Sequence, residues 1–168
     1  MPNNTYKGVR IAHEDYDLYY SAWCSNEHEL YDLKVCLTGE SRLGLELRLI
    51  IPQTDPGQLH NLFPEDDDVT ADVSLLGKST RQVIDRLDAL MLVLKSCKGE
   101  SCIEPWKILH PDGDVTSLKD ALKDTFDEFY EQQVKVSFDR CEDGYLIDAE
   151  GPQVGYQYRD GLEWHHWT

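Results

Sequence analysis

The residues of this chain best suited to chemistry are its five cysteines, Cys24, Cys36, Cys97, Cys102 and Cys141. A thiol can serve as nucleophile, metal ligand or cross-link, and its neighbours decide among these uses. In Cys97-Lys-Gly-Glu-Ser-Cys102 four residues, one of them glycine, separate the closest pair. That spacing is open to a small disulfide loop, to two unlinked thiols, or to half of a metal site. Zinc would need further Cys or His ligands at suitable spacing, and only His110 follows within a dozen residues. The disulfide between Cys97 and Cys102 is therefore the expectation. Cys24 and His28 are close enough in sequence for a thiol and imidazole pair, but on neighbouring strands that spacing fixes no geometry for a nucleophile.

Other apparent motifs fail on their chemistry. Gly77-Lys78-Ser79-Thr80 resembles the end of a phosphate-binding loop, which needs a glycine where this chain has Asp72. Asp112, Asp114 and Thr116 resemble the start of a calcium loop, but its glycine is replaced by Ser117 and its closing glutamate by Lys123. Glu65-Asp66-Asp67-Asp68 reads as a solvated acidic loop, and His165-His166 as part of a surface tail. No catalytic residue and no metal site are assigned within the chain.

The elements that would position these residues form one domain, residues 1–168, of α+β class: a small antiparallel meander packed with two helices. Stretches 6–11, 17–24 and 28–33 are dense in β-formers and are separated by polar turns. In the central strand Tyr16, Leu18, Tyr20 and Ala22 fall on one face, with Tyr19, Ser21 and Trp23 on the other. One face should pack on a helix and the other on something absent from the chain. Over 79–95 the residues Val83, Ile84, Leu87, Leu90, Met91 and Leu94 recur at helical spacing, after Ser79 or Thr80 as N-cap. A second helix is expected over 118–130, entered through Ser117 and Asp120 as a capping box. Between them 103–114 reads as irregular. One strand is expected at 134–138, and the structure of the rest of the tail, 131–168, is left undetermined.

A net charge of -16, from 16 Lys and Arg against 32 Asp and Glu, disfavours nucleic acid and anionic lipid as partners. No apolar run is long enough for a membrane span, and the amino-terminal Met-Pro-Asn-Asn-Thr-Tyr-Lys has no signal-peptide character. No export address is expected in the chain as written.

The most informative stretch is Glu29-Leu30-Tyr31-Asp32-Leu33-Lys34, resumed at Asp55-Pro56 and Asn61-Leu62. Joined, these residues resemble the pattern that closes many sulfatases. Arg86 through Gly99, followed by Cys102, Pro105-Trp106 and Leu109-His110-Pro111, is similar to the carboxy-terminal region of fungal arylsulfatases. The resemblance implies a sulfuric ester hydrolase of the alkaline phosphatase superfamily, built of a large catalytic domain and a small carboxy-terminal sheet with a helix. It implies a formylglycine nucleophile and a calcium ion in the intact enzyme, and none of those positions can be carried onto this chain, because no cysteine here lies in a maturation motif. The chain is expected to be a structural subdomain, inactive alone, whose partner is the catalytic domain. The alternative is a standalone, non-catalytic protein-binding module derived from a sulfatase. The family motif breaks after Lys34 and resumes at Thr54, so residues 35–53 are read as a translated intron. Val35-Cys36 can be encoded as a splice donor and Gln53 as an acceptor, and excision would leave an even number of cysteines, as suits an exported parent. The competing reading is a genuine inserted hairpin, since Leu43, Leu45, Leu47 and Leu49 alternate as in a half-buried strand.

Overall fold

The computed structural model describes residues 5–34, 55–64 and 74–141. The stretch read as an intron, the acidic run 65–68 and the tail beyond Cys141 lie outside the described residues. The first described segment is the expected meander: β1 (Tyr6–Ala12), β2 (Asp17–Trp23) and β3 (His28–Asp32), antiparallel in the order β1-β2-β3. Tyr20 stands opposite Val9 on one side and Leu30 on the other. The β2–β3 turn passes through Asn26 at φ 64°, a left-handed conformation that Asn tolerates better than most residues.

A short hairpin, β4 (Ser74–Leu75) and β5 (Lys78–Ser79), turns through Leu76 and Gly77, both at positive φ. The turn delivers the chain into α1 (Thr80–Ser96). Ser79 is its N-cap, with the hydroxyl accepting from the Gln82 N–H while the Gln82 side chain accepts from the Ser79 N–H. This reciprocal pair satisfies two backbone donors that a helix start would otherwise leave open.

Helix α1 is buried on more than one side. Val83, Leu87, Ala89 and Val93 are wholly shielded from solvent, and so is Arg86. The sheet covers one side of it, and α3 (Pro105–Leu109) and α5 (Asp127–Glu131) cover another. The short α2 (Glu100–Ile103) lies between α1 and α3. The stretch expected to be irregular thus holds a helix, because Pro105 sits in its first turn, where proline costs no hydrogen bond.

The expected second helix is broken. It forms α4 (Leu118–Ala121), then a 3₁₀ turn at Asp124–Phe126, then α5. Ser117 is the N-cap as expected, accepting from the Asp120 N–H, but the Asp120 carboxylate accepts from the Ser117 hydroxyl and from Thr116 rather than from the Ser117 N–H, so the expected capping box is only half formed. The break has a tertiary cause. The buried Arg86 guanidinium donates to the Ala121 carbonyl at 3.1 Å, and an uninterrupted helix would give that acceptor to the N–H four residues on.

Residues 134–138 also differ from expectation, since they pair with no strand. Val136 and Phe138 are buried, and side chains replace the missing ladder. The Asn26 side chain donates to the Phe138 carbonyl at 3.0 Å and accepts from its N–H at 2.8 Å. A disulfide between Cys24 and Cys141 closes the same junction. The α+β class stands: the described residues form a three-stranded sheet, a two-stranded hairpin and five α-helices.

Candidate functional site

The alternation of β2 gives the sheet two unlike faces. Leu18, Tyr20, Ala22 and Leu30 point into the core and are at most 1% exposed. The opposite face carries Tyr6, Tyr19, Trp23 and Tyr31, with Tyr6 half exposed. The Tyr6 and Trp23 rings lie 4.8 Å apart, and Tyr19 and Tyr31 stack at 6.5 Å. Tyr19 also lies across Gly8, where an added Cβ would approach the tyrosine hydroxyl to 3.0 Å. A glycine in mid-strand leaves room for that ring. The face is an aromatic platform whose exposure runs from 50% at Tyr6 to 8% at Tyr31, so it is the β1 side that stands open.

The family-like residues gather at the free edge of β3. Leu30 is buried in the core, Tyr31 belongs to the platform, and Glu29 accepts from Ser21 at 3.0 Å. Asp32 accepts at its carboxylate from the Lys34 N–H and at its carbonyl from the Asp55 N–H, the latter at 2.6 Å. Leu33 donates from its backbone to Asp17. Asp55 and Pro56 open a tight turn closed by the Gln58 N–H, and the Asp55 carboxylate also accepts from the His60 N–H. Asn61 then does what a strand would do: its side chain accepts from the Leu30 N–H at 2.9 Å and donates to the His28 carbonyl at 3.0 Å. Leu62 completes the clasp through its N–H to the Leu30 carbonyl. Backbone groups on a sheet edge are thereby satisfied and the edge is closed to further pairing.

On the inner side a polar chain crosses the interface of sheet and α1. His28 Nδ1 lies 2.9 Å from the Tyr20 hydroxyl, which donates to the Asp88 carboxylate at 2.7 Å. Burial pushes the Asp88 carboxyl up to about 7, while the Tyr20 hydroxyl, Lys135 and the Val136 N–H pull the other way. Burial lowers His28 and raises Tyr20, where the neighbouring Asp88 adds to the effect. His28 and Asp88 line an open cleft of about 790 Å³ together with Phe63, Ser79, Asp85 and Lys135. The sequence reading did not bring these residues together, having weighed His28 only beside Cys24 and Ser79 only as an N-cap. The available signal was Asp88 itself, a carboxylate inside the apolar run of a helix.

A second, half-buried network centres on Asp127, which accepts from Lys78, Gln82 and Arg86. Burial alone would raise this carboxyl, but Lys78 and Arg86 hold it below its usual range. His110, the one histidine near the cysteine pair, packs among Phe126, Phe129 and Tyr130 and shares a 2.7 Å hydrogen bond with the Tyr130 hydroxyl.

The described cysteines are all cross-linked, Cys97 to Cys102 and Cys24 to Cys141. Among the described residues the one group with metal-ligand composition is His13, Glu14 and Asp15, all exposed. The Asp15 carboxylate there already accepts from Lys119 at 2.7 Å, which holds it below the usual carboxylate range. No described helix is long and apolar enough to cross a membrane.

Comparison with known proteins places this geometry. No family model matches the chain, and no solved structure matches it. Sulfatase ppz1 of Metarhizium majus, a fungus, is 35% identical over 154 residues, which cover 90% of this chain and 29% of that protein. An arylsulfatase of Volvox carteri is 36% identical over 83% of this chain and 17% of its own length. An arylsulfatase of Chlamydomonas reinhardtii is 35% identical over 95% of this chain and 20% of its own. The chain spans less than a third of each of these relatives. It is thus a relative of the sulfatases and arylsulfatases that corresponds to one part of them.

Proposed function

We propose that the chain is the carboxy-terminal subdomain of an arylsulfatase-type sulfuric ester hydrolase, a structural element that supports a separate catalytic domain and has no sulfatase activity by itself. The observation that carries this reading is the aromatic platform of Tyr6, Tyr19, Trp23 and Tyr31, a sheet face that stands half open at Tyr6, in a chain whose relatives are several times longer. Aromatic residues concentrated on one face supply large contact area at low entropic cost, as an interface requires. The occupant is the catalytic domain of the same enzyme.

An enzyme of this kind works through a formylglycine matured from cysteine and through calcium. The described residues fit neither group: their cysteines are disulfide-bonded, and their one acidic and histidine cluster is exposed, with its aspartate committed to a lysine. No chemical step is assigned to them. The two disulfides agree with a parent folded in an oxidising compartment.

The test is an assay of the purified chain on a chromogenic aryl sulfate, with and without calcium. No turnover is expected, and turnover above a buffer blank that survives repurification overturns the reading. A standalone binding module would use the same aromatic face. The two readings separate at the gene, where a sulfatase reading frame with a maturation motif directly upstream supports the subdomain and its absence supports the module.

A further inference from the structure

We propose that His28, Tyr20 and Asp88 form a proton-coupled relay in which the charge state of Asp88, at the interface of sheet and helix, decides which nitrogen of His28 carries the proton at the cleft.

The chain of contacts is continuous, 2.9 Å from His28 to Tyr20 and 2.7 Å from Tyr20 to Asp88. Its members come from three elements, β3, β2 and α1. Tyr20 and Asp88 are 0% and 2% exposed, so water cannot readily substitute for either partner. A hydroxyl has one proton to give, and its oxygen can accept in return. With Asp88 ionised, the Tyr20 proton is committed to the carboxylate. The Tyr20 oxygen then accepts from His28, which holds its proton on Nδ1. With Asp88 protonated, the order reverses. The Val136 N–H already donates to this carboxyl, so the acid proton turns to the Tyr20 oxygen. The Tyr20 hydroxyl then donates to His28 Nδ1, and the imidazole proton moves to Nε2. Atoms balance throughout, since one proton enters at Asp88 and the others only change sides. The residue lining the cleft thereby changes from an acceptor at Nε2 to a donor.

The groups facing the relay set where it switches. Tyr20 from β2, His28 from β3, Asp85 from α1 and Lys135 from the segment after α5 surround Asp88, and Lys135 pairs with Asp85 at 2.5 Å. Arg81, Asp127 and Glu131 line the same cleft farther out. Burial holds His28 below its ordinary range, which favours the neutral imidazole whose tautomer the relay sets.

Long-range ¹H–¹⁵N correlation spectra of the labelled full chain, recorded from about pH 5.5 to about pH 8.5, read the tautomer of His28 directly. The expected result is an Nδ1–H form at the upper end and an Nε2–H form at the lower end. The ratio should change about tenfold, centred on the titration of Asp88. Asp88→Asn and Tyr20→Phe should each abolish the pH dependence. A single tautomer throughout in the unmodified chain overturns the relay, whether or not the variants fold. A pH profile that survives in either variant overturns it as well. The outcome does not depend on whether the chain belongs to an active sulfatase, so the two proposals fail separately.

Discussion

The two faces of the same three-stranded sheet have solved the problem of aromatic and apolar surface differently. The inner face meets α1 within the chain, so Leu18, Tyr20 and Leu30 are buried and the Tyr20 hydroxyl has a partner 68 residues away in Asp88. The outer face stacks Tyr6 on Trp23 and Tyr19 on Tyr31, and it stays half exposed at Tyr6. Strand periodicity produces both faces from one pattern, and it is the presence of a covering layer that separates core from platform. Substitutions on the two faces should therefore have opposite signatures: loss of folding on one, loss of association on the other.

The largest expected effect concerns the bridge that holds the segment after α5 against the inner side. Cys24→Ser opens a disulfide spanning a sequence separation of 117 residues, and in the chain-entropy picture the cost is about 5 kcal/mol, read from urea midpoints. The Cys97–Cys102 loop, with a separation of 5, should cost only about 2 kcal/mol when opened. Equal costs would show that the long bridge does not restrain the unfolded chain.

Next is the pH dependence of the inner face. The Asp88 carboxyl is raised to about 7 from an ordinary 3.8, so the folded state binds this proton more tightly than the unfolded one. Its stabilisation is fully present below about pH 4 and is lost as pH rises through about 7, a change on the order of 4 kcal/mol. Thermal melts of the chain and of Asp88→Asn across that range should diverge, with the variant giving the flatter curve. Parallel curves would mean that Asp88 contributes nothing to the pH dependence.

Leu30→Ala, at a fully buried position on the inner face, should cost about 3 kcal/mol by transfer and cavity together. Trp23→Ser on the outer face should cost about 1 kcal/mol, the loss of its contact with Tyr6. The same variant should abolish association with a separately produced catalytic domain, measured by calorimetry. A Trp23→Ser chain that still binds would move the interface off the platform.

The smallest effect is expected from removing residues 35–53, which we propose are not needed for the fold. The Asp55 N–H reaches the Asp32 carbonyl at 2.6 Å, so the described chain on either side of the break already meets across the clasp. A chain with Lys34 joined to Thr54 should keep its melting temperature within a few degrees. A cooperative loss of structure would show that the segment is a genuine element, as would a mature transcript that retains it.

The meander, α1 and the start of α4 were legible in the sequence because each rests on neighbours along the chain. Alternation of Leu18, Tyr20 and Ala22 sets one strand face, Ser79 and Gln82 close a capping box, and Ser117 caps α4 through the Asp120 N–H. The break after Ala121 was not legible, since no proline or glycine marks it. The strand expected at 134–138 failed for a related reason: its β-formers are buried as expected, but the partner at Phe138 is the side chain of Asn26 rather than a strand.

By itself the sequence determined the meander, α1 and the kinship of the chain, through local periodicity, capping pairs and the spaced residues from Glu29 to Leu62. The Cys97–Cys102 bridge was expected from its spacing, but the pairing of Cys24 with Cys141, the hydroxyl that meets Asp88 and the carbonyl that Arg86 takes from α4 were left to the tertiary structure. Those choices pair groups dozens of residues apart. Chain periodicity carries no record of such distances, and only the packing of α1 between sheet and helices brings the partners within reach.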